Sequence, residues 1–168
     1  RYGPCGRLLE RIDRLGNSVR YRWSTEPNCL EEIINEKGEV YAFFYDDGGR
    51  VIREKSFDGR EENYRYNLAG ELIAVINWNG ETITRKYDLR GRLIQQLLPD
   101  GTFSNFEYDA LGNLISAVNP DCAVKFERDA LGRTIREVQG EHIVERRFDA
   151  IGCIVHTSTN LGHESQYK

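Results

Sequence analysis

Tyr87-Asp-Leu-Arg-Gly91-Arg-Leu-Ile94 recurs 21 residues later as Tyr108-Asp-Ala-Leu-Gly112-Asn-Leu-Ile115. Copies of varying quality begin near residues 2, 23, 45, 66, 87, 108, 128 and 148. The copy near residue 23 lacks both the Asp and the Gly, and the copy at residue 128 starts with Arg128. Self-similarity at a nearly fixed period is the signature of a repeat architecture. We therefore predict a single array of about eight repeats over residues 1–168, with no second domain.

Two turn signals recur along the array and predict that the repeat is a β-hairpin. In the first, the Asp after the aromatic residue can accept backbone N–H bonds, and the Gly three residues later supplies permissive backbone. The second lies in the middle of the repeat, at Lys37-Gly38, Asp58-Gly59, Asn79-Gly80 and Asp100-Gly101. Asn-Gly and Asp-Gly favour a type I′ turn, in which both central residues have positive φ. We expect less regular turns in the later copies, at Asp121-Cys122, Gly140 and Gly162.

The segments between the turns have the length and composition of β-strands. They are about seven residues long, a normal strand length. In Leu72–Asn77 apolar residues fall on both faces, which is typical of a sheet partly covered on each side. Two strands from each of eight copies give sixteen strands, and an open sheet of that size must curl. The predicted fold class is all-β, with tandem antiparallel β-hairpin repeats that form a curved, spiralling sheet.

Composition argues against several classes of partner, although mixed charges along the chain leave room for a local basic patch. The net charge is −4, from 23 basic and 27 acidic residues, so the basic excess of a nucleic-acid-binding surface is absent. No apolar stretch is long enough to span a membrane. Cys5, Cys29, Cys122 and Cys153 are too few for a disulfide-stapled module, and we expect reduced thiols. The chain begins at Arg1 and lacks Met, which is typical of a piece of a longer polypeptide.

The residues that carry chemistry form no recognisable site. Cys153, His156 and His163 come nearest to a metal cluster, but their spacing fits no strong ligand signature. The sequence has no nucleophile elbow and no phosphate-binding loop. The Asp residues recur in strict repeat phase, which favours turn capping over calcium binding. We predict no catalytic, cofactor-binding or metal-binding residue, no cofactor and no enzymatic activity.

The Tyr-Asp-x-x-Gly-Arg-Leu-Ile pattern with a mid-repeat Asp-Gly resembles the YD repeat of RHS (rearrangement hotspot) proteins. Tyr87–Ile94 and Tyr108–Ile115 match it best, and the resemblance covers nearly the whole chain. It implies a β-sheet that spirals into a hollow cocoon, as in bacterial RHS toxins, insecticidal toxin complexes and animal teneurins. The self-cleaving segment of bacterial members contains Asp-Pro, which does not occur here. Neither a protease site nor a toxin domain is therefore carried over.

The resemblance implies a shell segment of a bacterial RHS-type toxin, exported as part of a larger protein or held at the cell surface. The segment would encapsulate or present a toxic cargo in interbacterial competition. Its partners would be the flanking RHS repeats and the cargo, and exposed strand edges would permit self-association. The alternative is a surface module that binds carbohydrate or protein, with Trp23 and Trp78 as stacking residues. Strict phasing favours the first hypothesis, because phased aromatic residues are expected to hold neighbouring hairpins together.

Overall fold

The computed structural model describes residues 1–25 and 29–167, and within them it contains sixteen β-strands after a short 3₁₀ turn at Pro4–Gly6. In chain order the strands are β1 (Glu10–Ile12), β2 (Ser18–Trp23), β3 (Leu30–Ile34), β4 (Val40–Tyr45), β5 (Val51–Lys55), β6 (Glu61–Tyr66), β7 (Leu72–Ile76), β8 (Thr82–Tyr87), β9 (Leu93–Leu97), β10 (Phe103–Tyr108), β11 (Leu114–Val118), β12 (Ala123–Arg128), β13 (Thr134–Gln139), β14 (His142–Phe148), β15 (Ile154–Thr159) and β16 (Glu164–Gln166). No helix among the described residues is long and apolar enough to cross a membrane.

The chain divides into two compact units, Arg1–Ile83 and Thr84–Lys168. In the first unit β1 to β7 pair consecutively and antiparallel. From β8, whose residues Thr82 and Ile83 belong to the first unit, to β16 the strands pair in the same way. The predicted all-β fold of tandem antiparallel hairpins is confirmed. The prediction that residues 1–168 form one array remains a prediction.

Seven of the eight predicted repeat starts, all but the one at residue 2, coincide with strand ends. Strands β2, β4, β6, β8, β10, β12 and β14 end at residues 23, 45, 66, 87, 108, 128 and 148. Beside this position the strand register shifts by one residue, as between Arg65 and Tyr66, where Tyr66 pairs with Leu72 and Ile73 is left as the extra residue. Such a bulge bends the strand and re-aims the side chain beside it. In each such repeat the bulge therefore lies where one hairpin ends, and it sets the angle at which the next hairpin begins.

The turns that follow residues 45, 66, 87, 108, 128 and 148 have the predicted geometry, with Asp or Asn at the first position and Gly at the fourth. The degenerate copy near Trp23 runs through residues 26–28, which lie outside the described residues. At Asp88 the N–H of Gly91 donates to the Asp88 carbonyl at 3.0 Å, and the Asp88 N–H donates to the carbonyl of Arg92 at 2.9 Å. Gly91 has φ 77° and Gly112 has φ 96°, in the left-handed region that side chains disfavour. The predicted role of these glycines is therefore confirmed.

The mid-repeat turns share this geometry, and the type I′ prediction is wrong. The N–H of Gly80 donates to the carbonyl of Asn77 at 2.9 Å, so the central residues are Trp78 and Asn79, not Asn79 and Gly80. The physical reason is the side chain of Asn77, whose Oδ1 accepts the N–H of Asn79 and of Glu81, each at 3.0 Å. The turn starts at Asn77 and closes on a glycine bulge.

Of the three later mid-repeat turns, those at Asp121-Cys122 and Gly140 are irregular as predicted, and the one at Gly162 is regular. Gln139 pairs directly with His142, which leaves a two-residue connection at Gly140 and Glu141. The turn at Asn119 closes through Cys122 without a glycine. Gly162, by contrast, closes a regular turn onto the carbonyl of Thr159 at 3.1 Å, so the expected irregularity there is wrong.

The array has little enclosed core. Among the described residues the buried ones are Ala74, 9% exposed, and Ser116, 6% exposed. The other large apolar side chains of the strands are half-buried or exposed. With so little area fully removed from water, contacts between neighbouring hairpins must supply much of the stability.

Candidate functional site: the clamp between successive repeats

The Asp that follows the aromatic residue fixes its own turn. Oδ1 of Asp88 accepts the backbone N–H of Arg90 at 2.8 Å and of Arg92 at 3.0 Å. Oδ2 accepts Nε of Arg92 at 2.7 Å and lies 2.6 Å from its Nη2. The side-chain hydrogen bond from Arg92, together with these backbone donors, holds the pKa of the Asp88 carboxyl below its usual 3.8. The predicted turn-capping role of Asp is therefore seen directly.

The residue after the glycine completes this side-chain pair in several chemical forms. Asp pairs with Arg in Asp46–Arg50, Asp88–Arg92 and Asp129–Arg133, and with Asn in Asp109–Asn113. In the reversed form an Asn amide donates to a Glu carboxylate, in Asn35–Glu39, Asn67–Glu71 and Asn77–Glu81. Sequence reasoning missed this pair. The signal was present, because an acid in the first position is matched with Arg or Asn four residues later, and Asn with Glu.

The arginine of this pair also covers the aromatic ring of the next repeat. Cζ of Arg92 lies 4.7 Å from the centre of the Tyr108 ring, and its Nη1 donates to the carbonyl of Asp109 at 3.1 Å. The same placement occurs in Arg50 over Tyr66 at 4.9 Å and in Arg133 over Phe148 at 4.7 Å. A cation over an aromatic face stabilises such a contact by about 0.5–1 kcal/mol at exposed sites. One side chain thus joins two repeats.

The polar end of the same aromatic residue forms a hydrogen bond with the preceding repeat. The hydroxyl of Tyr108 donates to the carbonyl of Leu93 at 2.9 Å. Equivalent bonds run from Tyr45 to Leu30 at 2.6 Å and from Tyr66 to Val51 at 2.8 Å. Each such bond contributes about 1 kcal/mol. We call the Arg-on-ring contact and this hydrogen bond together the repeat clamp.

Two repeats that lack Tyr make the same bond with another donor. Nε1 of Trp23 donates to the carbonyl of Leu8 at 2.9 Å, and Nη2 of Arg128 donates to the carbonyl of Leu114 at 3.0 Å. At these two positions a donor at the end of another long side chain replaces the Tyr hydroxyl, whereas Phe148, which has no donor, keeps the ring contact with Arg133. The prediction that this position holds hairpins together is confirmed, and Trp23 forms the hydrogen bond of the clamp.

The three residues that come nearest to a metal cluster in the sequence do not converge in the structure. Cys153 is an exposed free thiol. Nδ1 of His156 lies 3.5 Å from a carboxylate oxygen of Glu164, and Nε2 of His163 lies 3.5 Å from Oγ of Ser165. Within residues 1–25 and 29–167 no three His, Cys, Asp or Glu side chains are grouped so that they could hold a metal ion.

Trp78 lies outside the clamp. It sits in the mid-repeat turn after β7, with its side chain 54% exposed, beside a cavity of about 550 Å³. This cavity belongs to the unit Arg1–Ile83 and is distinct from the clamp positions.

Comparison with known proteins supports the repeat identity. The family model described as RHS Repeat matches residues 87–121. Double-stranded DNA deaminase toxin A of Burkholderia cenocepacia is 34% identical over 70 residues, which is 42% of this chain and 5% of that protein. Probable deoxyribonuclease RhsA of Dickeya dadantii is 34% identical over 65 residues, or 39% of this chain and 4% of that protein. The chain thus spans a small fraction of the curated relatives it matches.

Solved structures share the fold. A crystal structure of TcdB2-TccC3 without its hypervariable C-terminal region matches with a TM-score of 0.74 at 13% identity, over 98% of this chain and 11% of that one. The Tc holotoxin pore of Photorhabdus luminescens matches with a TM-score of 0.71 at 15% identity, over 89% of this chain and 9% of that one. With the sequence matches, these findings confirm the predicted RHS/YD-repeat character of the chain.

Proposed function

We propose that this RHS-repeat chain is a structural segment of the protein shell of a bacterial toxin. The observation that carries the proposal is the repeat clamp, in which the recurrent Asp, Arg and Tyr positions bind neighbouring hairpins to one another. These side chains already form contacts between neighbouring hairpins, so they suit a structural scaffold. None of them is left free as a reacting group. The toxin names of the curated relatives add support.

In this proposal the segment works as one array over residues 1–168 and has no enzymatic activity of its own. It continues into flanking RHS repeats, and the resulting curved, spiralling sheet encapsulates or presents a toxic cargo until delivery to a competing bacterium. The parent protein is exported or displayed at the cell surface. Free strand edges would also let isolated segments associate with one another.

Removal of one whole repeat tests the proposal in the parent protein. Deletion of residues 87–107 takes out 21 residues, one full period, and joins equivalent positions. If the shell encloses the cargo, the shortened protein should no longer contain the toxic activity of the cargo. The cell that produces it should then grow more slowly. The same deletion combined with an inactivated cargo is the control and should restore growth. Normal growth with the active cargo would contradict encapsulation.

The alternative, a surface module that binds carbohydrate or protein, rests on the exposed Trp78 and the cavity beside it. A glycan array probed with the protein tests it. Binding that disappears in Trp78→Ala would favour this alternative, and no binding to any glycan would favour the shell.

A further inference from the structure

The cavity beside Trp78 has aromatic walls. It lies over β4, β5 and β6 and is bounded by the tips of two mid-repeat turns, which carry Phe57 and Trp78. The rings of Tyr41 and Phe57 meet edge to face at 5.6 Å. Phe57 is 40% exposed and Trp78 is 54% exposed, so each residue keeps surface open to a ligand, although the Arg60 guanidinium lies over one face of the Trp78 ring.

The floor of the cavity holds two opposed carboxylates. Glu54 on β5 stands directly opposite Glu62 on β6, and both line the cavity. Like charges directly opposite each other in an antiparallel pair are destabilising. The hydroxyl of Tyr41 donates to Glu54, and the hydroxyl of Tyr64 donates to Glu62 at 3.0 Å. Within residues 1–25 and 29–167 neither carboxylate forms an ion pair, so the repulsion is not neutralised.

The hydrogen bond to Glu54 also changes the chemistry of Tyr41. This bond, with partial burial, raises the pKa of Tyr41 to about 12. The hydroxyl therefore stays protonated and remains a neutral donor at physiological pH. It orients the Glu54 carboxylate without cancelling its charge.

The repeat architecture does not require these residues. At the same cross-strand register, later repeats carry the uncharged pairs Gln96–Ser104 and Ala117–Val124. At the turn position of Phe57 and Trp78, later repeats carry Pro99 and Pro120. The carboxylate pair and the two exposed rings are therefore local departures from the repeat, and they meet at one cavity.

We propose that this cavity binds an organic cation, an alkylammonium or guanidinium group. Such a cation is attracted to aromatic faces and forms charge-assisted hydrogen bonds with carboxylates. The Trp78 ring already contacts a guanidinium group in this structure, because Cζ of Arg60 lies 4.6 Å from the centre of the ring. Arg60 is itself paired with Asp58 at 3.1 Å, which leaves Glu54 and Glu62 for the ligand. A saccharide would stack on the rings but would not neutralise two opposed carboxylates.

Titration with small probes, followed by NMR of the two tryptophan indole N–H groups, tests the proposal. The Trp78 signal is assigned from its loss in Trp78→Phe. N-acetyl-lysine methylamide and 1,5-diaminopentane should shift this signal, and the uncharged N-acetyl-norleucine methylamide should not. Tighter binding of the lysine probe would identify a protein side chain as the source of the cation, and equal binding would identify a free amine.

Charge-removing variants connect the signal to the carboxylates. Glu54→Gln and Glu62→Gln should each weaken binding of the lysine probe by up to about fivefold, the effect of one partly exposed charge pair. Glu107→Gln makes the same charge change at an exposed strand position outside the cavity and should leave binding unchanged. Equal shifts with the norleucine probe, a shift with methyl β-glucoside but not with lysine, or full binding in both Gln variants would each overturn the proposal.

A stability measurement separates a ligand site from a purely structural one. Because the opposed carboxylates repel, Glu54→Gln and Glu62→Gln should raise the melting temperature of the free protein while they weaken binding. If the pair instead supports the fold, both variants should melt at a lower temperature, and that result would also contradict the proposal.

Discussion

Arg92 joins two repeats through one side chain. It pairs with Asp88 in its own turn, donates to the carbonyl of Asp109 and covers the ring of Tyr108. Its guanidinium fork suits this arrangement, because a Lys ammonium in its place would lose the two-pronged contact with the carboxylate. The repeated Arg after Gly is therefore a connection between repeats.

Loss of this arginine should weaken the fold. Arg92→Ala removes a cation–ring contact and several charge-assisted hydrogen bonds, and we expect a loss of about 1–3 kcal/mol in the free energy of unfolding. Urea denaturation measures it. The exposed Arg147→Ala is the matched control and should cost less than about 0.5 kcal/mol. Equal losses in the two variants would contradict the clamp.

The turn carboxylates predict acid sensitivity. The pKa of Asp46, of Asp88 and of Asp109 lies below the usual 3.8, through backbone and side-chain hydrogen bonds from Arg50, Arg92 and Asn113 respectively. A lowered pKa in the folded state contributes stability that is present above the usual value and is lost as pH falls through the folded value. We therefore expect the melting temperature to fall steeply below about pH 4.

A triple variant isolates these groups. Asp46→Asn, Asp88→Asn and Asp109→Asn together keep an oxygen that accepts the backbone N–H but remove the titration. The melting temperature of this variant should be lower at neutral pH and should change less between pH 5 and pH 3. An unchanged acid dependence would place its source elsewhere in the chain.

At the scale of the element, the sequence was sufficient for the hairpins but not for the mid-repeat turn. The aromatic-Asp-x-x-Gly pattern located the strand ends, because the Asp side chain and the Gly backbone act within five residues. Asn79-Gly80 suggested a type I′ turn, since that dipeptide by itself satisfies the turn. The side chain of Asn77 competes by accepting two backbone N–H groups, and it moves the turn by one residue.

Two substitutions distinguish these turn geometries. Asn77→Ala leaves two backbone N–H groups without their acceptor and should cost about 1–2 kcal/mol, whereas Asn79→Ala should cost less than about 0.5 kcal/mol. Chemical denaturation of both variants gives the comparison. A larger loss for Asn79→Ala would restore the type I′ geometry.

The glycines that close the turns after the aromatic positions should tolerate no branched side chain. Gly91→Val and Gly112→Val force Val to φ values of 77° and 96°, which should cost about 1–3 kcal/mol each. Ala110→Val, in the same turn as Gly112, adds the same side chain at the second turn position and should be nearly neutral. Unchanged thermal stability in both glycine variants would contradict the turn assignment.

At the scale of the whole molecule, the repeat period was readable from the sequence and the means of joining repeats was not. Phasing of the aromatic positions gave the strand count, because each copy repeats the same local signals. The clamp joins groups about 15 residues apart, such as the Tyr108 hydroxyl and the backbone carbonyl of Leu93, and no local pattern specifies that contact. The cavity beside Trp78 was missed for the same reason, since Glu54 and Glu62 become neighbours only when β5 and β6 pair.

Protease protection of the cargo in the purified parent protein tests the shell function most directly. The measurement is the rate at which the cargo is cleaved, compared with the rate for the free cargo. The account predicts slow cleavage in the intact protein, faster cleavage when Arg92→Ala and Arg133→Ala remove the arginine contacts with the Tyr108 and Phe148 rings, and no change with Arg147→Ala. Cleavage in the intact protein at the rate of the free cargo would contradict it.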